Sequence, residues 1–318
     1  MQSELRLMNN LRLVSRLCAT VGILVSLLAL PFGGMPIELQ VLLALLALAV
    51  GIPHGAVDHL ITVPSLTPLR RVFFLAGYLL TVGLAIWAIL TANLLGFQLV
   101  VLMSAIHFGL GDAAFVAELD KRQSAHARKF PKTAFLVASG FTPVVIPLVS
   151  NASTEALTAV NPNLVGWAGA LAPTIFAVMV TVNLAAIGAM LLAKRIQESI
   201  DLALLLALVL IAPPLVAFAF YFGLWHALRH TGRVSLELKS AQLKHAAGNW
   251  KGAFTKAFLA GVPALAIVIA FTIYLGLTQG FNISQELLWY LLVVVWALTV
   301  PHMALTLRLD VKALRGQN

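Results

Sequence analysis

The sequence predicts an all-α fold, a polytopic transmembrane helical bundle of about 8–10 membrane helices with one broken or re-entrant element near 201–230. Apolar residues make up 60% of the 318-residue chain, and charged residues only 10%. A soluble domain carries about 25% charged residues. The mean hydropathy is +0.95, and long apolar runs recur along the whole sequence. We therefore expect residues 1–318 to form a single integral-membrane domain.

The individual spans follow from the lengths of the apolar runs. A helix needs about 20 predominantly apolar residues to cross the hydrocarbon core of a bilayer. Candidate spans lie near residues 13–32, 37–59, 72–95, 97–117, 133–150, 167–193, 201–230, 257–278 and 286–307. Most are long enough to cross once as a helix, which predicts a multi-pass protein in the lipid bilayer.

Lysine and arginine are distributed unevenly over the connections between these spans. Basic residues occur in the N-terminus, in the tail and in the links at 60–71, 118–132, 194–200 and 231–256. The links near 33–36, 92–97, 151–163 and 279–285 contain none. The positive-inside rule then predicts a cell (inner) membrane protein with both termini in the cytoplasm. The net charge of +9 records this orientation, and no nucleic-acid partner is expected.

One segment breaks the alternation of basic and neutral links. The chain between the basic links at 194–200 and 231–256 has about 30 residues, whereas two crossings need about 40. Pro213-Pro214 lies in its middle and interrupts a helix. Either the element turns within the protein, where other residues cover its open backbone groups, or one long tilted helix precedes an amphipathic surface segment at 231–252. The sequence leaves both alternatives open.

Histidines are concentrated in the apolar spans. Six of the eight lie within or at the ends of spans: His54, His59, His107, His226, His230 and His302. With the predicted topology all six fall in the inner half of the membrane. Ionisable residues at such depth are costly and usually functional, so the shared depth favours a single site. The other two, His126 and His245, lie in basic links and are expected to be solvated.

The donor types point to a metal centre. His226 and His230 are four residues apart, a spacing that can place two imidazoles of one helix on one metal. The only cysteine is Cys18, so no thiolate cluster can form, and imidazole suits Zn, Cu, Fe or Ni. Iron with open positions could activate oxygen, and an apolar lining would favour a lipid-soluble substrate. The charge of Arg229, between the two histidines, suggests that this residue points to the membrane interface.

Four further residues are candidates for supporting roles. Asp58 lies four residues after His54 and shares its helix face. Asp58 and Asp112 are expected to orient ligand histidines by accepting their second N–H group, or to act as helix-end partners. Tyr221 lies one helix turn before Trp225, and both could border the site. Aromatic residues in such spans are more often part of the core.

Four short motifs are spread from residue 51 to residue 303. They are Pro53-His54-Gly55-Ala56-Val57-Asp58-His59, His107-Phe108-Gly109 with Gly111-Asp112, Trp225-His226 with His230, and Pro301-His302-Met303. Their combination and order resemble the Brp/Blh family of integral-membrane β-carotene 15,15′-dioxygenases. Each motif is short, but together they cover most of the chain and are specific.

The resemblance implies oxidative cleavage of all-trans-β-carotene at its central 15,15′ double bond by O2, which yields two molecules of all-trans-retinal. It also implies a non-haem Fe(II) cofactor. Matched position by position, His54, His107, His226 and His230 are the implied iron ligands. His59 and His302 also match motif positions and are assigned supporting roles. Because some family members work beside light-driven rhodopsins, a retinal-using rhodopsin is a partner to consider.

Two other functional classes stay open at this point. The chain could be a non-catalytic carotenoid- or retinal-binding membrane protein or a transporter, with its histidines on an ion path. It could also be another membrane iron oxygenase, although the HxxHH boxes of di-iron desaturases are absent. Metal analysis together with a carotene-cleavage assay separates these alternatives.

Overall fold

The protein is a bundle of α-helices. The computed structural model describes residues 2–57, 60–61, 67–123, 129–280 and 283–315, with the side chains of 283–285 left undescribed. The α-helices in chain order are α1 (Gln2–Ala29), α2 (Ile37–Gly55), α3 (Pro68–Thr91), α4 (Asn93–Gln123), α5 (Lys132–Val149), α6 (Ser153–Val160), α7 (Ala172–Leu192), α8 (Ile196–Ile211), α9 (Pro214–Phe218), α10 (Ala227–Glu237), α11 (Lys239–Ala246), α12 (Trp250–Thr278) and α13 (Ile283–Arg315). A π-helical segment, Ala219–His226, joins α9 to α10. Among the described residues no strand is present.

Eight helices within the described ranges are long and apolar enough to cross a membrane. They are α1, α2, α3, α4, α5, α7, α12 and α13. Helices α1, α3, α7 and α12 expose many large apolar side chains, such as Phe73, Trp87, Leu184 and Ile267, as expected where helices face lipid. Helices α4, α5 and α13 are buried over half or more of their apolar stretches. The prediction of a multi-pass helical membrane protein is confirmed.

The predicted break near residues 201–230 is also confirmed. Helix α8 ends at Ile211, and the backbone of Ala212 and Pro213 is extended, with ψ of 143° and 153°. A new helix begins at Pro214, where proline has no N–H to leave unpaired. From there α9, the π-helical segment and α10 run on without interruption to Glu237. Because nearly every residue of 214–237 is buried or partly buried, this central helix is surrounded by protein.

The basic link predicted at 231–256 is more buried than the sequence suggests. Residues 231–236 are buried, so the surface part of the link begins only at α11, where Ala241 and His245 are turned inward. The expectation that His245 is solvated is wrong: the residue is 6% exposed, and its ring nitrogens lie 3.1 Å from Ser3 Oγ and 3.2 Å from Ser235 Oγ. A neutral imidazole can bond both hydroxyls, and this pairing ties α11 to α1 and α10. His126 lies outside the described residues.

The crossing of α4 and α5 depends on two glycines because the backbones touch. A Cβ built on Gly140 of α5 would lie 2.0 Å from the carbonyl oxygen of Ala105, and one on Gly109 of α4 would lie 2.2 Å from that of Leu136. Close approach of helices through small residues is typical of membrane bundles. Gly109 belongs to the His107-Phe108-Gly109 motif, so this contact fixes the height of His107 relative to α5.

Replacing Gly140 with alanine is expected to lower the free energy of unfolding by about 1–3 kcal/mol or more, because the added methyl group overlaps a backbone carbonyl. Gly188→Ala on α7 is the matched control: its Cβ meets nothing within 4 Å, and alanine is the better helix former. Thermal unfolding of both variants in detergent measures the difference. Equal stability of the two variants would contradict the close packing of α4 on α5.

Candidate functional site

Five buried imidazole rings converge in the middle of the bundle. They form the histidine cluster, which consists of His54, His107, His226, His230 and His302. The rings come from the end of α2, from α4, from the π-helical segment, from α10 and from α13. Neighbouring ring centroids are 4.8–6.4 Å apart. The structure therefore gathers all four histidines that the family resemblance implies as ligands, and it adds His302 to them.

The shortest approach within the cluster involves His302. Its Nε2 atom lies 3.2 Å from Nε2 of His107, and nitrogens of these two residues and of His54 all lie within 4.8 Å of one another. Two nitrogens bound to one metal at about 2.1 Å are separated by about 3.0–3.4 Å for right-angled to tetrahedral arrangements. The His107 and His302 nitrogens thus have the separation that a single metal ion needs, and a nitrogen of His54 lies within 4.8 Å of both.

The tautomer of His54 is set by the backbone. Its Nδ1–H donates to the carbonyl oxygen of Gly51, one turn earlier in α2. A carbonyl can only accept a hydrogen bond, so the proton must be on Nδ1, and the lone pair of His54 is on Nε2. A ligand histidine is commonly oriented in this way through its second nitrogen.

His226 has an unpaired nitrogen in a dry environment. Its side chain is 1% exposed, and its Nε2 atom has no hydrogen-bond partner among the described residues. An orphaned buried polar atom costs about 1–3 kcal/mol, which a metal bond would offset. The ring packs 4.4 Å from the ring of Phe108, and the absent side chain of Gly111 leaves room for it, since a Cβ there would lie 3.2 Å from the ring.

A network of buried charges lies next to His226 and His230. Arg229 is 1% exposed, so the expectation that it points to the membrane interface is wrong. Its guanidinium lies 3.9 Å from Asp112 and 3.6 Å from Asp201, and its Nε donates to Ser15 at 3.0 Å. It also stacks 3.7 Å above the ring of Trp225. Two acidic partners compensate this charge, which allows it to be buried.

Two of the expected supporting residues meet in this network. The Trp225 Nε1–H donates to Asp112 at 3.1 Å, so Asp112 binds the residue next to His226. Tyr221 is buried and donates its hydroxyl to the carbonyl of Ser139 at 3.2 Å, while its ring packs against Phe108. Asp58 and His59 lie outside the described residues. The supporting roles of these side chains stay predictions.

The sequence analysis did not predict the ion pairs that join α1 to α8 beside Arg229. Arg12 is buried and donates to Glu198 at 2.8 Å and to Asp201 at 3.0 Å, and Arg16 donates to Asp201 at 2.6 Å. In the sequence both arginines belong to the basic N-terminus and have the pattern of topology signals. The acidic pair Glu198 and Asp201 at the start of an apolar run was the available indication that these charges find partners inside the protein.

An apolar cavity of about 370 Å³ adjoins the histidine cluster. His54, His107 and His302 line it, and its other walls are mostly aliphatic and aromatic side chains from α2 to α6, α9, the π-helical segment, α12 and α13. Ligand sites of this kind are usually apolar with a few placed polar groups. The cavity offers space for an apolar molecule beside the ring nitrogens.

The fold and the site together define a multi-pass membrane protein with an imidazole cluster facing an apolar cavity. Residues 45–310 match the family of β-carotene 15,15′-dioxygenases. The chain is 29% identical over 274 residues to a β-carotene 15,15′-dioxygenase from uncultured marine bacterium 66A03, a match that covers 82% of this chain and 90% of that protein. No solved structure matches the chain. This chain belongs to the β-carotene 15,15′-dioxygenase family, as its motifs suggested, and is an enzyme that acts on a carotenoid.

Replacing Arg229 with alanine is expected to destabilise the protein by about 3–5 kcal/mol, because Asp112 and Asp201 would lose a buried countercharge. Arg308→Ala is the control, since Arg308 is exposed on α13, and exposed charges contribute about 0–1 kcal/mol. Unfolding in detergent gives both values. If Arg229→Ala lowers the free energy of unfolding no more than the control does, the network does not stabilise the fold.

Proposed function

We propose that this enzyme cleaves all-trans-β-carotene at its 15,15′ double bond with O2 and releases two molecules of all-trans-retinal. The observation that supports the proposal most directly is the position of His54, His107 and His302 on the wall of an apolar cavity. No Asp, Glu, Lys or Arg is among the described residues that line the cavity, so the ring nitrogens can meet an apolar molecule there. Family membership and the identity to a protein of this name support the same reaction.

We further propose that the resident metal is non-haem Fe(II). His54, His107, His226 and His230 are the proposed ligands, and the short approach of His302 to His107 makes His302 a fifth candidate. Imidazole nitrogens suit iron, and the unpaired Nε2 of His226 is accounted for by such a bond. When bound, iron supplies the binding and activation of O2.

In this proposal the protein itself positions the polyene and excludes water from the reacting bond. Phe108, Phe222 and Trp296 line the cavity with His54 and His302, and flat aromatic and aliphatic walls hold a rigid polyene in one orientation. The apolar lining excludes water from the reacting bond. The reaction needs no general base, and the described residues that line the cavity include no Asp or Glu.

The cellular setting is part of the same proposal. The distribution of lysine and arginine in the links supports an inner-membrane protein with both termini in the cytoplasm. β-Carotene dissolves in the bilayer and reaches the enzyme there without a soluble carrier. Retinal leaves into the same membrane, where a retinal-using rhodopsin is the proposed consumer.

Single alanine substitutions of the four proposed ligands are expected to abolish iron retention and to lower retinal formation by more than about 100-fold, beyond the effect of losing a supporting residue. His302→Ala is expected to lose most of its iron as well. Iron content of the purified protein and retinal formed in a β-carotene-producing bacterium are the measurements. His245→Ala is the control, a buried histidine outside the cluster. Full iron and full activity in any variant would remove that histidine from the ligand set.

The orientation is expected to be visible in reporter fusions. Alkaline phosphatase, which is active only outside the cytoplasm, should be inactive when fused after Asn318 and active when inserted in the neutral link at 151–163. A fluorescent protein at the same two places should give the opposite pattern. Active phosphatase at the C-terminus would reverse the proposed topology.

A further inference from the structure

The residues that line the cavity beside the histidine cluster fall into a buried and an exposed group. We call the buried part between the histidines and Ala44, Phe97, Leu157 and Leu288 the blind limb. The exposed part at Leu75 and Ile267 is called the lateral mouth. Residues at the end of the blind limb are at most 3% exposed, whereas Leu75 and Ile267 are 48% and 68% exposed.

The length of the blind limb follows from the helices that line it. Ten residues separate Ala44 from His54 on α2 and Phe97 from His107 on α4, both pairs lining the cavity. At 1.5 Å per residue each stretch is about 15 Å long. On α13 the lining runs from Leu288 to His302, about 21 Å. The limb therefore extends about 15–20 Å from the histidine cluster.

The end of the blind limb is sealed by a fixed contact. The ring of Trp167 packs edge-on against Phe97, with centroids 5.6 Å apart. The Trp167 Nε1–H donates to the carbonyl of Leu148 at 2.8 Å, and its own carbonyl accepts from the Gln98 side chain at 3.0 Å. These bonds join the connection before α7 to α4 and α5. They hold the indole in place behind Phe97.

The lateral mouth lies close to the histidines. Helix α12 touches α2 where a Cβ on Gly261 would lie 1.9 Å from the carbonyl oxygen of Pro53, next to His54. Ala264 and Ile267 follow within two turns of that contact and line the cavity. Across from them, Leu75 of α3 also lines it. Exposed apolar side chains of a membrane bundle face lipid, so an apolar molecule can enter from the bilayer at this point.

We propose that the blind limb is a molecular ruler that selects the bond to be cleaved; this inference rests on the proposed function. β-Carotene is about as long as the hydrocarbon core is thick, roughly 30 Å. One half of it, about 15 Å, fills the limb with its ring against Phe97 and Leu157. The other half occupies the lateral mouth. The central double bond then lies at the histidine cluster.

The chemistry at that bond is balanced with O2 as the co-reactant. The central C=C bond and the O–O bond break, and two C=O bonds form, so one oxygen atom goes to each carbon and no proton is exchanged. The blind limb determines only which double bond lies at the histidine cluster. A limb that accepts one half of the polyene leads to two equal products. A limb of another length would lead to two unequal carbonyl products.

The test shortens the limb in one pair of variants and lengthens it in another. Ala44→Phe and Ala156→Phe fill its end, since both alanines are buried and line the cavity. Leu157→Ala and Leu288→Ala deepen it. Ala88→Phe is the matched control for the filling variants, because Ala88 is exposed on α3 and is not part of the cavity wall. Each protein is purified in detergent, checked for a monodisperse elution profile and for iron content, and incubated with β-carotene and O2.

The expected result is a change of product. Filling variants that keep their iron are expected to form retinal at least tenfold more slowly and to release unequal products. Deepened variants are expected to release unequal products in addition to retinal, because the polyene can slide further in. Retinal as the sole product of the deepened variants, at the wild-type rate, would overturn the ruler. Wild-type protein that holds iron and forms no retinal would instead overturn the proposed function.

Discussion

The fold depends on the pairing of Arg229 with Asp112 and Asp201 in the interior of the bundle. The guanidinium lies within 4 Å of both carboxylates, and Arg12 and Arg16 complete the partners of Asp201. A charge buried without compensation would cost several kcal/mol. The central helix, α1, α4 and α8 must therefore keep one mutual arrangement. His226 and His230 flank Arg229 in the chain, so this arrangement also fixes the height and rotation of both imidazoles.

The histidine cluster separates a polar region of the protein from an apolar one. Toward the arginines, Trp225 links Asp112 to the central helix through its indole N–H. On the opposite side His54, His107 and His302 line the cavity. A neutral imidazole suits this boundary, because it offers a lone pair to a metal without bringing a formal charge next to hydrocarbon. Charged groups can stabilise the helix arrangement without entering the space that an apolar molecule occupies.

Hydropathy and spacing predicted much of this protein, because the bilayer imposes simple rules on length and composition. The spans, the break at Pro213 and the meeting of His54, His107, His226 and His230 follow from the sequence. The partners of buried charges do not. Arg12 and Arg16 have the pattern of topology signals, and only the packing of α1 against α8 reveals Asp201 beside them. Residues distant in sequence, such as Trp167 and Phe97, close the cavity through contacts that no local pattern encodes.

The ion pairs also determine what kind of centre the imidazoles can form. Asp112 and Asp201 are buried carboxylates, and both face Arg229 of the central helix. Glu198 is held by Arg12 and Arg195. Ion pairing draws these described carboxylates toward the arginines, which favours a neutral donor set. A metal bound only by neutral imidazoles keeps its full positive charge, which strengthens its interaction with electron-rich partners in a medium of low dielectric constant. The arginines thereby hold Asp112, Asp201 and Glu198 in the polar region, while the other wall of the site is apolar.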